Sequence, residues 1–247
     1  NMSIGIECLT ENNRTACSRR AQKLFELNNQ RKKVERKMQD EAIQIVDEIV
    51  NYQKDQELPI GFCLYKDNWH EGVVGIVASR IKEAFHRPAV VFAMGREGVL
   101  KGSARSIKGV HIRDVLAEIA HEKPSFIERF GGHAMAAGLS LSASKIQEFS
   151  DLFISVLSKH VDGSLLQETI TTDGSLDSAD FDLNLARELS EITPWGQGFP
   201  APTFDDVFDI INCRVVGERH VSLILSMPSS YKQFSAIAFN ALEESWW

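Results

Sequence analysis

From Ile6 to Leu58 the chain contains neither glycine nor proline. Within that stretch Leu24, Leu27, Val34, Met38, Ala42, Ile45 and Ile49 recur at spacings of three, four or seven. That is the stripe of an amphipathic helix. A helix from about Ala16 to Tyr52 would be ~55 Å long at 1.5 Å per residue. A rod of that length exceeds what one domain needs, so it is expected to connect two bodies. Pro59 ends it, because proline removes a backbone donor and clashes with a continuing helix.

After Pro59 the pattern alternates. Ile60 to Tyr65 reads as a short strand, and Asp67 to Gly72 as a turn. Val73 to Phe85 reads as a helix with Val74, Val77, Ala78, Ile81 and Phe85 on one face. Ala89 to Ala93 and Val99 to Ser103 read as strands, and Ile112 to His121 as a helix. Ser144 is placed to cap a helix running to about His160, with Gln147 as its capping-box partner. Strands alternating with helices make this an α/β domain. Residues 161 to 180 are acidic and turn-rich, and a short helix follows over Leu183 to Ile192. Pro194-Trp195-Gly196-Gln197-Gly198-Phe199-Pro200-Ala201-Pro202 cannot be regular structure. Beyond it Val207 to Val216, Val221 to Ser226 and Phe234 to Phe239 read as consecutive strands of a β module.

Composition narrows the function classes. The chain of 247 residues is 43% hydrophobic and 25% charged, which is ordinary globular material. It has no apolar run of 18 residues, so no membrane-spanning helix is expected. No signal-peptide pattern is present. Cys8, Cys17, Cys63 and Cys213 are scattered without a C-x-x-C pair, which suits structural thiols in a reducing cytoplasm. Asn1 in place of Met, and Trp246-Trp247 at the end, suggest a piece of a longer protein. The net charge of -7 hides a partition. Nine Lys/Arg fall in residues 14 to 37 and eight in 80 to 113, whereas residues 162 to 191 hold eight acids and only Arg187. The basic segments are either local phosphate-binding surfaces or solvated helix faces.

Three motifs carry chemistry. In F-G-G-H-A-M-A-A-G-L-S-L (130–141), Gly131-Gly132 permits unusual backbone conformations. If Ala134 to Ala137 forms a helical turn, its free N–H groups make an anion cradle with His133 at its mouth. The other reading is a tight packing crossing with a structural histidine. In K-G-S-A-R-S (101–106), Arg105 stands between two hydroxyls, Ser103 and Ser106, and a guanidinium suits bidentate phosphate contact. In W-H-E-G-V-V-G-I-V-A-S-R (69–80), Gly75 inside a helix costs ~1 kcal/mol relative to alanine and signals close approach by another backbone. Trp69 either stacks on a base or fills core, and core is the expectation. No Asp/His cluster resembles a divalent-metal site, and neither G-x-x-x-x-G-K-[ST] nor G-x-S-x-G occurs.

Together these motifs resemble those of the bacterial RecJ family of single-stranded-DNA-specific exonucleases. The resemblance extends through M-S-I-G-I-E-C-L-T (2–10), L-N-N-Q-R-K-K-V-E (27–35), P-W-G-Q-G-F-P-A-P-T-F (194–204), R-V-V-G-E-R-H (214–220) and A-I-A-F-N (236–240). The glycine-glycine-histidine motif alone marks the wider DHH phosphoesterase superfamily. The resemblance implies three segments. Residues 1–57 are the end of a DHH domain and a long connecting helix. Residues 58–160 are a DHH-associated α/β substrate-binding domain, and 161–247 are a linker and a truncated OB-fold-like β domain. It implies a parent that degrades single-stranded DNA 5′ to 3′ with Mg²⁺ or Mn²⁺, in recombination and repair, alongside single-strand-binding protein. The catalytic DHH motif and its metal ligands are missing from this sequence, so the chain alone is expected to be inactive and to bind no metal. On the same resemblance Gly131, Gly132 and His133 hold the scissile or adjacent phosphate, with His133 against the reacting group. Arg105, Ser103 and Arg80 contact the DNA backbone. Two rival readings remain: a small-nucleotide phosphodiesterase of the same superfamily, and a non-catalytic single-strand-binding module.

Overall fold

In a computed structural model of the chain, the expected long helix is α2 (Arg14–Tyr52), and a shorter helix, α1 (Met2–Thr10), precedes it. The break falls at Glu11-Asn12-Asn13. Asn13 Oδ1 accepts the Ala16 N–H at 3.1 Å, which satisfies a donor that the first turn of α2 would otherwise leave unpaired. The structure describes residues 2–52, 58–196, 198–228, 230 and 232–242. The last residues of the expected 1–57 segment, Gln197 of the P-W-G-Q-G-F motif and the closing Trp246-Trp247 lie outside the described residues.

Two compact units divide the chain, Asn1–Glu168 and Thr169–Trp247. In the first, α2 is followed by β1 (Phe62–Tyr65), α3 (Val74–Phe85), β2 (Ala89–Met94), β3 (Val99–Arg105), α4 (Ile112–Glu122), β4 (Arg129–Gly132), β5 (Ala136–Ser142) and α5 (Ile146–His160). The strands form one sheet in the order β1-β2-β3-β5-β4. Only β1 and β2 run parallel, and α3 is the crossover between them. Every other pair is antiparallel.

Strand alternation gives the sheet two faces. Val90, Phe92, Leu100, Ala104, Ala137, Leu139 and Leu141 pack with α4 and α5 in one core. Ala89, Val91 and Ala93 pack with α3 and the C-terminal part of α2 in another. There Met38, Ala42 and Val46 are the buried residues of α2. Trp69 fills this second core, as its sequence context suggests, and its Nε1–H donates to Glu41 Oε2 at 2.9 Å. That bond holds the Glu41 carboxyl below its usual range, with Lys66 and Lys37 acting in the same direction.

One local expectation fails. Ser144 does not cap α5: its Oγ pairs with Ser142 Oγ, and Gln147 turns to Asp151. A short 3-10 turn over Ala143–Lys145 leads into the helix, so the chain enters α5 without a capping box.

The second unit holds α6 (Leu183–Glu191) and an antiparallel sheet of β6 (Asp209–Val216), β7 (His220–Ser226) and β8 (Gln233–Ala238), ordered β6-β7-β8. Asp182 caps α6 by accepting from the N–H groups of Asn184 and Leu185. Phe181, Phe208 and Phe234 form a ring cluster with centroids 4.9 to 5.7 Å apart. Every residue of β6 is exposed.

Candidate functional site

Register places the motif residues of the first unit more finely than sequence spacing can. Across the sheet three rows line up. Ala89 pairs with Arg105, and Arg105 with Ala136. Val91 pairs with Ser103, Ser103 with Gly138, and Gly138 with Gly131. Ala93 pairs with Lys101, Lys101 with Ser140, and Ser140 with Arg129. Ala89, Val91 and Ala93 belong to the core under α2 and α3. Members of a row share a face, so the other residues of these rows lie on that same side of the sheet.

On β1 and β2 that side is covered by helices. On β5 and β4 it is a floor of small residues, with Gly131, Gly138 and Arg129 exposed. Neighbouring strands lie about 4.8 Å apart, so Ser103 and Gly131 are separated by roughly 10 Å of glycine-lined surface.

The two glycines of the F-G-G-H motif have different jobs. Gly132 belongs to the opposite row, paired with Ala137, and has φ +147°. A Cβ there would stand 2.3 Å from Ala136 O and 2.5 Å from Ala137 Cα. Backbone geometry therefore requires glycine at 132. At Gly131 a Cβ would meet nothing within 4 Å, and at Gly138 only Gly102 O at 3.9 Å. Packing does not demand glycine at either position. What their missing side chains do is keep the floor low.

Arg105 forms the wall of the floor. Its Nε–H donates to Ser79 Oγ at 3.1 Å, and Nη1 donates to Ser103 Oγ and Ala104 O, each at 2.9 Å. These bonds fix the guanidinium plane. A Cβ at Gly75 would lie 2.9 Å from Arg105 Nη2, so the helix glycine makes room for the guanidinium rather than for another backbone. Gly72, Gly75, Ile76, Ser79, Arg80, Glu83 and Arg105 line an open depression of ≈ 380 Å³ along α3. Arg80 pairs with Glu83 at 3.2 Å at its rim. Lys101 Nζ donates to Ser140 Oγ at 3.0 Å on the far row.

Two expectations about the motifs need correction. Ala134 to Ala137 is not a helical turn: residues 129–142 are a β-hairpin, closed by a His133 N–H to Ala136 O bond at 2.8 Å. Carbonyls of its turn tie it to neighbouring elements. Ala134 O accepts from Ile112 N at the start of α4, and Met135 O accepts from Ser106 N. These residues are extended rather than helical, so the helix-start cradle expected here does not form. Nor does Ser106 flank Arg105. It is buried and its Oγ donates to Val110 O at 2.6 Å, and the second hydroxyl on Arg105 comes from Ser79.

The structure thus brings Ser103, Arg105 and Gly131 onto one face, with Arg80 at its border. Gly132 sits on the opposite row as the hinge of the hairpin. His133, exposed, lies across from Ala136 at the end of the Arg105 row. Sequence reasoning missed Lys101, Arg129, Gly138 and Ser79. A pairing of 99–105 with 136–142 exposes Lys101 and Gly138 by parity, and Arg129 follows only when 129–132 is paired with 137–140.

No group of three or more His, Cys, Asp or Glu stands together as a metal-holding set among the described residues. No described helix is long and apolar enough to cross a membrane.

Comparison with known proteins fits this layout. Residues 58–159 match the DHHA1 domain, and residues 172–247 match the RecJ OB domain. The single-stranded-DNA-specific exonuclease RecJ of Haemophilus influenzae is 44% identical over 97% of this chain and 42% of its own length. That of Escherichia coli is 41% identical over 99% of this chain and 42% of its own length. The chain thus spans about two fifths of the length of these two relatives. The crystal structure of RecJ with Mn²⁺ from Thermus thermophilus superposes with a TM-score of 0.72 at 22% identity, covering 96% of this chain and 33% of that one. The Mg²⁺ complex gives 0.71 at 24% identity over 90% of this chain and 33% of that one, so both show a shared fold.

Proposed function

The chain belongs to the RecJ family, and from that premise we propose that its open sheet face holds a single-stranded DNA substrate for exonucleolytic cleavage. The observation that carries the reading is the pair Gly131 and Gly138. Neither is needed for packing, and both lie in one row with Ser103, between a row bearing Arg105 and a row bearing Lys101 and Arg129. A phosphodiester backbone can rest on that floor because no side chain lifts it away. Its charge is met from both sides.

Arg105 acts as a fixed donor. Ser79, Ser103 and Ala104 engage Nε and Nη1, leaving Nη2 without a partner among the described residues to meet a phosphate oxygen. Preset orientation reduces the entropy lost on binding. Gly132 shapes the hairpin that presents His133, and we assign His133 to the reacting phosphate. Arg80 joins the grip by exchanging Glu83 for phosphate.

Relatives of known structure carry Mg²⁺ or Mn²⁺ in their crystals, and a divalent ion would supply an activated water for hydrolysis. The role assigned to this surface is grip and orientation. The 5′-to-3′ polarity, a place in recombination and repair, a cytoplasmic setting and cooperation with single-strand-binding protein belong to the same reading.

Fluorescence anisotropy of a labelled single-stranded oligonucleotide, titrated with the chain over a range of salt, tests it. Arg105→Ala is expected to weaken binding roughly tenfold and to lower the log–log salt slope by about 1, as for loss of one phosphate contact. Unchanged affinity and slope would return Arg105 to a structural role. Competition by dinucleotides as effective as that by longer strands would favour a small-nucleotide phosphodiesterase.

A further inference from the structure

Helix α1 contributes no buried residue. Met2, Ile6 and Leu9 are exposed. Apolar burial therefore does little to hold α1, and its place beside α2 depends on ties at the joint. Arg20 supplies one of them. Its Nε meets Glu7 Oε2 at 3.1 Å, and its Nη1 meets Glu11 Oε2 at 2.5 Å. The other is a pair of thiols. Cys8 and Cys17 Sγ stand 3.8 Å apart. Each thiol also lies against the other residue's carbonyl, at 3.7 Å for Cys8 Sγ to Cys17 O and 3.4 Å for Cys17 Sγ to Cys8 O. Both side chains are half-buried, so they are held in place yet remain within reach of a small reagent.

We propose that Cys8 and Cys17 are a reversible disulfide-forming pair whose co-reactant is a low-molecular-weight disulfide. One cysteine thiolate attacks a sulfur of the small disulfide, forming a mixed disulfide and expelling one small thiolate. The second cysteine thiolate then attacks the protein sulfur of that mixed disulfide and expels the other small thiolate. Two protein thiols are oxidised and one small disulfide is reduced to two thiols. The two protons released by the cysteines are taken up by the departing thiolates. Closure requires the sulfurs to move from 3.8 Å to a bond of about 2.05 Å.

The other cysteines do not share this arrangement. Cys213 is exposed in the second unit, and burial pushes the Cys63 thiol up to about 12; the Cys8 thiol is raised as well, first by its hydrogen bond with Cys17. Oxidation would convert α1 from a helix held by ion pairs, which salt screens, into one covalently stapled to α2.

The experiment uses the 247-residue chain carrying Cys213→Ser, incubated with oxidised glutathione at mildly alkaline pH. The expected product has lost two hydrogens, links the Cys8 peptide to the Cys17 peptide, and reverts with dithiothreitol. Amide exchange across α1 and residues 11–13 is expected to slow roughly tenfold, as a short closed loop constrains the opened state. Adding Cys17→Ser, or Cys17→Ala as a second variant, is expected to stop the reaction at a Cys8–glutathione adduct. Stable glutathione adducts on both cysteines, no reaction at either, or a cross-link that leaves α1 exchange unchanged would overturn the proposal.

Discussion

On the α3 side of the sheet, β2 presents Ala89, Val91 and Ala93 beneath helices. On the same three rows, β3, β5 and β4 present Arg105, Ser103, Lys101, Gly138, Gly131 and Arg129. One half of this face buries its side chains to hold the fold together. The other half leaves a low, cationic surface that stability does not explain. Fully burying a side chain such as Val91 is worth about 1.5–3 kcal/mol, whereas Gly131 adds nothing by contact. Residues whose chemistry the fold does not use are the ones available for a ligand.

Mutations can break that contrast at several points. The largest effect is expected at Gly132, where Gly132→Ala should cost roughly 3 kcal/mol or more through its positive φ and backbone collision. Its neighbour should behave oppositely. Gly131→Ala is expected to change stability by no more than about 0.5 kcal/mol while weakening oligonucleotide binding several-fold. Urea midpoints and anisotropy on the same samples separate the two, and a Gly131→Ala variant that binds normally would empty the floor of its meaning.

On the covered half, Val91→Ala should cost about 2 kcal/mol with little change in binding by the folded protein. If it instead abolished binding at full occupancy of the folded state, the two halves would not be independent.

The smallest expected effect lies at Glu41. Its carboxyl is held below the ordinary value by the Trp69 indole, so the folded state contributes stability above the unfolded carboxylate range. That contribution fades as pH falls through the lower folded value. The difference in stability between neutral and acidic solution should therefore shrink in Glu41→Gln, as read from urea midpoints on either side of about pH 4. An unaltered difference would take Glu41 out of the acid response.

Periodicity made much of this visible in advance. The stripe from Leu24 to Ile49 marks α2, and the apolar runs at 89–93 and 99–103 fall within β2 and β3. The hairpin at 129–142 was harder, because glycine and alanine have no pattern by which to tell a turn of helix from a strand. Once Gly131 is misassigned, its partner Gly138 and the row ending at Arg129 cannot be seen. Arg105 was legible as a cation between hydroxyls. Which hydroxyls depended on α3 bringing Ser79 across, a contact separated by 26 residues that sequence spacing does not encode.

One consequence of α2 concerns leverage. Its buried residues, Met38, Ala42 and Val46, all lie in the C-terminal part of the helix. From Met38 back to Arg14 the rod projects ~36 Å at 1.5 Å per residue. A tilt of about 5° at the packed end would therefore carry the α1 joint through ~3 Å, several times the amplitude of the motion that produces it. A rotation too small to register in the sheet would thus displace the whole joint, with Cys8 and Cys17 carried together, by geometry alone.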